Sequence, residues 1–318
     1  MSSLHLVEQR EGPPAVQPWV LDRGGQRLQA HDHDRRLAEL RAGLMRHPGV
    51  HASAAAPASE DVELVLSSLH EPRFLRALAA VDSSSPVLMA EFAAPGMSPD
   101  TPVCADVAAA ALEGVRAAIG AARELLGGAR FAYALCGPPG HHAGPDWVGG
   151  CCYLNNAAAA VQALRDGGMS PVGILDLDIH YPNGTAAIAA HMGDTRLHSI
   201  HAWPAVNVPS QSASPTTERE RIVEFTETPS EQEYLDAVAE SIAELAGSAA
   251  LVLSLGYDTV AGDPHGSWGF SPQIFARLGA LLAESGLPVC VVQEGGYALG
   301  TLAECSYAFA SGLLGEAS

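Results

Sequence analysis

From Gly173 to His180 the chain reads Gly-Ile-Leu-Asp-Leu-Asp-Ile-His, an aliphatic run that ends with ionisable groups at alternate positions, Asp176, Asp178 and His180. Alternate residues of an extended backbone share a side, so two carboxylates and an imidazole are predicted to face one way. Alone, this pattern fits a capped loop with solvated acids as well as it fits a cation site. Three other apolar runs also end in polar clusters. Phe131–Leu135 leads to His141 and His142, Ala250–Leu255 to Asp258, and Pro288–Val292 to Glu294 and Tyr297. At the C-terminal edge of a parallel sheet all four ends can share one crevice.

The chemistry that such a crevice supports is hydrolysis at one divalent metal. Two carboxylates and an imidazole leave coordination positions open for water and a carbonyl. A neighbouring histidine can take the proton of the water, and a tyrosine hydroxyl can donate to the developing oxyanion. The chain has no Gly-x-Ser-x-Gly elbow and no phosphate-cradling loop, which argues against acyl-enzyme and kinase chemistry.

The elements that must hold these groups alternate along the chain. Strands are predicted at Phe131–Leu135, Val172–Leu175, Leu197–His201, Ala250–Leu255 and Pro288–Val292, with shorter candidates at Trp19-Val20-Leu21 and Val62–Leu66. Helices are predicted over Arg35–Met45, after His70-Glu71-Pro72-Arg73 through Ala80, and over Val107–Leu126, Asn155–Leu164, Glu231–Leu245 and Ser271–Glu284. His31-Asp32-His33-Asp34 at the first helix entrance reads as a cap more readily than as a metal site. Aliphatic strands separated by helices, without linker or repeat, imply one doubly wound α/β domain with a mainly parallel sheet. Residues 1–30 read as a segment packed on or leading into a domain of residues 31–318.

Composition bounds the partners. Acidic residues outnumber basic ones 36 to 17, for a net charge of −19, which argues against nucleic acid and favours cationic ligands through long-range attraction. No apolar stretch reaches the ~18 residues of a membrane span, and no signal-peptide pattern opens the chain. The six cysteines have no framework spacing, as expected for a reduced, cytoplasmic protein.

At these residues the chain resembles the zinc-dependent histone deacetylase and acetylpolyamine amidohydrolase family. Phe131-Ala-Tyr-Ala-Leu135 followed by Pro-Pro-Gly-His-His-Ala is similar to the family's tandem-histidine motif. Asp176-Leu-Asp-Ile-His180 with Asn183-Gly-Thr185, Ser199-Ile-His201, Asp258 in Gly-Tyr-Asp-Thr-Val-Ala-Gly-Asp-Pro264, and Glu294-Gly-Gly-Tyr297 follow in family order. The resemblance implies an arginase/deacetylase-like fold with an eight-stranded sheet and helices on both faces. It implies zinc at Asp178, His180 and Asp258, with iron(II) suited to the same donors. His142 is then the general base and acid, His141 an electrostatic assistant, and Tyr297 the group that polarises the carbonyl. Asp176 orients His141 and Asn183 orients His142. Potassium is implied at Asp176, Asp178, His180, Ser199 and the carbonyl of Ile200, a substrate contact at the backbone of Gly150, and a rim residue at Asp100. Ureohydrolases of the same fold hold two manganese ions and need an aspartate where this chain has Gly256, so one metal is expected.

The departures from the family gather around the substrate. Cys151 and Val208 stand where relatives line the tunnel with aromatics, so a wider tunnel is expected unless Asp146-Trp147 or Trp203 swings in. His265 replaces an aliphatic residue, or in polyamine-selective relatives a glutamate. Tyr181-Pro182 replaces His-Gly, which should redirect that loop, and Gly137 replaces an arginine. With the catalytic set intact, the expectation is amide hydrolysis on a small N-acylated amine such as an acetylated polyamine. A protein N-acetyl-lysine substrate, a specialised metabolite, and a non-catalytic acyl-amine sensor are the alternatives. Self-association into a homo-oligomer stays open.

Overall fold

The computed structural model describes residues 3–9, 20–21, 26–28, 34–53, 57–95, 99–203, 217–266 and 268–315. His31 to His33, Val208, and the loop prolines 204, 209 and 215 lie outside the described residues.

The first half of the chain forms β1 (Leu4–Glu8), β2 (Val20–Leu21), β3 (Arg27–Leu28), α1 (Asp34–Leu44), β4 (Val50–Ser53), α2 (Ser59–Leu69), α3 (Pro72–Ala79), β5 (Val87–Leu88), β6 (Pro102–Val103), α4 (Ala105–Leu126), β7 (Phe131–Leu135) and α5 (Asn156–Asp166). Then come β8 (Val172–Asp176), α6 (Asn183–Ala189), β9 (Thr195–Ala202), β10 (Glu220–Phe225), α7 (Glu231–Leu245), β11 (Ala250–Leu255), α8 (Gln273–Glu284), β12 (Val289–Gln293) and α9 (Leu302–Leu314).

Eight strands make one sheet in the order β10-β9-β8-β11-β12-β7-β1-β4, and all its pairings are parallel. The expected eight-stranded sheet is therefore present. The four strands predicted to end in chemistry are consecutive neighbours, β8-β11-β12-β7, at its centre. Their register aligns Asp176 with Ser254 and Leu255 with Gln293, so their C-terminal ends open on one edge.

Alternation in β7 shows the double winding. Ala132 and Ala134 belong to an apolar layer with α4 and α5. Phe131, Tyr133 and Leu135 belong to the opposite layer, with α1, α7, α8 and α9. α4 and α5 enter the first layer mainly through alanines, whose short side chains let these helices sit close to the strands.

Several elements differ from expectation. Val62–Leu66 is not a strand; it lies inside α2. Its run of aliphatics suggests β structure, but Val62, Val65, Leu66 and Leu69 follow the i, i+3, i+4, i+7 spacing of one helical face, and all four are buried. The polar first segment supplies β1, which pairs with both β7 and β4. Its five residues are too few to show a period. β4, β10, α6 and α9 were likewise not foreseen. No helix among the described residues is long and apolar enough to cross a membrane.

Helices α8 and α9 meet backbone to backbone. A Cβ built on Gly312 falls 1.9 Å from the carbonyl oxygen of Ala276. In a free helix Gly→Ala gains about 1 kcal/mol, whereas overpacking a close contact costs about 1–3 kcal/mol. Contact against backbone leaves little room to relax, so the cost wins. Gly312→Ala is expected to lower the urea midpoint of unfolding with little change in m.

Candidate metal centre and active site

Leu175, Leu177 and Ile179 enter the apolar layer beside α7 and α8, which turns Asp176, Asp178 and His180 the other way. Asp178, His180 and Asp258 are buried, and one donor atom from each lies within 4.8 Å of the others. Backbone N–H groups hold the carboxylates. Asp178 Oδ2 accepts from Gly295 (2.8 Å), Asp178 Oδ1 from His180 (3.0 Å), and Asp258 Oδ1 from Ile179 (3.1 Å). His180 Nδ1 lies 2.9 Å from Asp178 Oδ1 and 3.2 Å from Asp258 Oδ2. Despite that proximity, Asp258 Oδ2 takes part in no hydrogen bond.

Burial, then the charge of Asp178, raises the Asp258 carboxyl to about 7. Asp178 is driven the other way: burial opposes its charge, but His141 and His180 hold it well below the usual carboxylate range. Two adjoining buried carboxylates, one orphan oxygen and an imidazole nitrogen fit a divalent cation. A Cβ on Gly256 would fall 2.6 Å from Asp178 Oδ2 and 2.7 Å from Asp258 Oδ1. A further aspartate, as a two-metal site requires, has no room there.

The tandem histidines are held through the loop that follows β7. Glu294 Oε2 accepts from the backbone N–H of Gly140 (2.7 Å) and His141 (3.1 Å), and burial raises its carboxyl to about 7. His141 Nδ1 lies 3.4 Å from Asp176 Oδ2. Burial alone would lower the His141 pKa, but Asp178 and Asp176 hold it up to about 10. His142 donates from Nδ1 to Asn183 Oδ1 at 2.7 Å, which leaves its Nε2 lone pair free to accept. Burial, reinforced by the charges of His141 and His180, pushes its pKa well down, so it stands as a neutral base.

Tyr297 follows β12. The Arg36 guanidinium lies over its ring, 4.7 Å from the centroid, and the His265 ring meets it edge-on at 4.5 Å. Arg36 is fully buried and donates to the carbonyls of Gly296 (2.6 Å) and Glu294. Sequence reasoning gave it no role. The available signal was its place on the buried stripe of α1 with Leu40 and Leu44, four residues apart.

The other expected residues fall as follows. Gly150 has φ +54°, and a Cβ there would lie 2.3 Å from His142 Cδ2, so only glycine lets the turn approach that ring. Cys151 is half-buried with φ +66°. Asp100 braces this turn: its Oδ2 faces Gly150 N (3.4 Å), and Thr101 donates to its Oδ1 (2.7 Å) while accepting from Cys151 N (3.1 Å). Ser199 and Ile200 are buried on β9, with Ser199 beside Asp176.

Trp147 Nε1 donates to the His142 carbonyl (3.0 Å). Pro182 immediately precedes α6, and Tyr181 reaches across to donate to Glu220 (2.7 Å). At Gly137 a Cβ would fall 2.8 Å from Leu37, so the space of the missing arginine is closed by an aliphatic side chain.

Residues 30–313 match the model of the histone deacetylase domain. Acetylpolyamine amidohydrolase 1 of Pseudomonas aeruginosa is 36% identical over 221 residues, 67% of this chain and 64% of that protein. Acetylpolyamine amidohydrolase of Mycoplana ramosa is 36% identical over 200 residues, 59% of this chain and 58% of that protein. The aligned stretch thus spans about three fifths of the length of these curated relatives. The crystal structure of acetylpolyamine aminohydrolase from Burkholderia pseudomallei superposes with a TM-score of 0.80 at 29% identity, covering 98% of each chain. The HDA15 HD domain shares the fold, with a TM-score of 0.78 at 22% identity, over 99% of this chain and 90% of that one.

His70 ties together the two ends of the segment that runs from His142 to the start of α5. Its Nδ1 donates to the Gly144 carbonyl (2.8 Å), and its Nε2 accepts from Asn155 N (3.2 Å). Burial lowers its pKa from 6.5 to about 4. Between those values the unfolded chain binds the proton and the folded protein does not. Stability is therefore expected to fall as pH drops from 6.5 to 4, by up to about 3 kcal/mol. Urea unfolding of wild type and His70→Gln across this window should show a shallower pH slope in the variant.

Proposed function

This chain belongs to the histone deacetylase domain family, and on that premise we propose that it is a metal-dependent amidohydrolase of N-acylated amines, with a small acetylated amine such as an acetylated polyamine as substrate. The observation that carries this reading is the convergence of an Asp178/His180/Asp258 donor set and an Asn183-oriented neutral His142 at one sheet edge. A sensor needs the first of these but not the second. Relatives that carry the acetylpolyamine amidohydrolase name support the substrate class, as does the net charge of −19, which attracts cationic amines.

In this reading Asp178, His180 and Asp258 hold zinc, or iron(II), and potassium lies at Asp176, Asp178, His180, Ser199 and the Ile200 carbonyl. The divalent ion supplies Lewis acidity toward the amide carbonyl and toward water. Asn183 fixes the tautomer of His142, so Nε2 takes the proton of the attacking water. The same nitrogen then returns a proton to the departing amine. His141, whose pKa Asp178 and Asp176 raise, assists the neighbouring His142 electrostatically. Charge on a cation at Asp178 and Asp258 weakens that hold on His141. The Tyr297 hydroxyl donates to the oxyanion. Gly150 offers its backbone to the substrate amide, while Cys151 and His265 shape the walls.

The first test is acetate release from N-acetylputrescine, N-acetylcadaverine and an acetyl-lysine peptide by metal-loaded protein. Faster turnover of the diamines is expected. Preference for the peptide would move the substrate to protein N-acetyl-lysine, and silence on all three would favour the sensor. Tyr297→Phe should lower kcat by about 10²–10³-fold with metal retained, as for other lost oxyanion donors.

A separate measurement addresses the metal. Loss of groups that merely orient ligands costs about 10–100-fold in metal affinity, so loss of a ligand should cost at least that. Asp258→Asn is expected to retain far less zinc than wild type by elemental analysis after dialysis. Equal metal content would remove Asp258 from the ligand set.

A further inference from the structure

A second carboxylate follows β11, and the mechanism above gives it no part. Asp263 is 8% exposed. Its Oδ2 accepts from the backbone N–H of Tyr297 (2.6 Å) and of Ala298 (3.1 Å), while its Oδ1 accepts from the N–H of His265 (2.9 Å). The donors come from two loops, one after β11 and one after β12. Hydrogen bonds to an ionised acceptor are the strong and directional kind.

The need for such a tie is written into the chain that leads to Tyr297. Gly295 and Gly296 precede it, and Gly296 has φ +114°, a conformation that nothing in a glycine side chain secures. Two successive N–H groups converging on one oxygen fix the peptide on which the Tyr297 Cα is carried. The third bond seats His265, whose ring meets the Tyr297 ring at 4.5 Å. Arg36 holds the carbonyls of Gly296 and Glu294. The carbonyl side of this short loop is thus held by a guanidinium and the N–H side by a carboxylate.

We propose that Asp263 is a positioning residue for Tyr297, fastening the peptide from which the phenol is aimed and seating His265 against its ring. The proposal rests on the reading of Tyr297 as oxyanion donor. It separates Asp263 from the metal ligands: its loss should alter where the phenol points and leave the metal in place.

The test is a double-mutant cycle on the metal-loaded full chain. Asp263→Asn keeps the size of the side chain but turns an NH₂ toward a backbone N–H. Because a misplacement of about 1 Å costs about 10²-fold in rate, kcat on an acetylated diamine should fall ~10- to 100-fold while KM moves less than ~3-fold. In a Tyr297→Phe background the same substitution should change kcat by less than about twofold, since the aimed group is already gone. Asp263→Glu, which keeps the carboxylate, should recover part of the loss, and it replaces the asparagine variant in the cycle if that protein does not fold. Equal losses in both backgrounds, or an unaffected Asp263→Asn, would overturn the proposal.

A second readout needs no turnover. With 3-fluorotyrosine incorporated, the ¹⁹F resonance that Tyr297→Phe removes is expected to shift or broaden in Asp263→Asn, with zinc content equal to wild type. An unmoved resonance would overturn the proposal even if the wild type hydrolyses no amide. Absence of turnover with a moved resonance would instead count against the amidohydrolase reading alone.

Discussion

Two carboxylates held side by side in a dry interior, Asp178 and Asp258, set the terms for everything around them. Like charges at such a site repel, and burial penalises each. The surrounding chain answers with backbone N–H groups from Ile179, His180 and Gly295, with the His180 imidazole, and with the cationic His141. Even so, one oxygen of Asp258 is left without a hydrogen bond. A cation is the one partner whose charge matches what remains. The glycines at 256 and 295 follow from the same constraint, since a side chain at either would collide with the carboxylates.

The tandem histidines are tuned by that charge. His141 and His142 are adjacent in sequence and have ring centroids 4.1 Å apart, yet they are pushed in opposite directions. His141 faces the aspartates, which raise its pKa. His142 faces an amide oxygen and the rings of His141 and His180, and burial with their charge pushes its pKa down. Burial and the neighbouring positive charge drive the divergence, and the hydrogen bond to Asn183 offsets only part of it.

Much of the centre of this architecture was legible before any coordinates. Strands buried on both faces, such as β8 and β11, appear as unbroken aliphatic runs, and their ends carry the polar groups. What was hidden has physical causes. β1 is only five residues long, and its membership in the sheet depends on partners more than forty and more than a hundred residues away. Val62–Leu66 has the composition of a strand and the spacing of a helix, and the spacing governs. Arg36 and Asp263 are single polar residues whose importance lies in the backbone atoms they reach, and no pattern in the chain announces a hydrogen bond to a distant peptide. The packing of Leu37 against Gly137 and the hydrogen bond from Trp147 to the His142 carbonyl could be learned only from the fold.

The strand order has a bearing on how the molecule comes into being. The chain lays down β7, β8, β11 and β12 in that sequence, but the sheet places β12 between β11 and β7. The two halves of the crevice are therefore joined by the last of these four strands to be synthesised. Until residues 289–297 have left the ribosome, the tandem histidines lack the Glu294 carboxylate beneath them, and Asp178 lacks the N–H of Gly295. A nascent chain that stops short of β12 thus carries acids and imidazoles with no finished place to put them. Pairings of this kind close late and slowly because they span long loops.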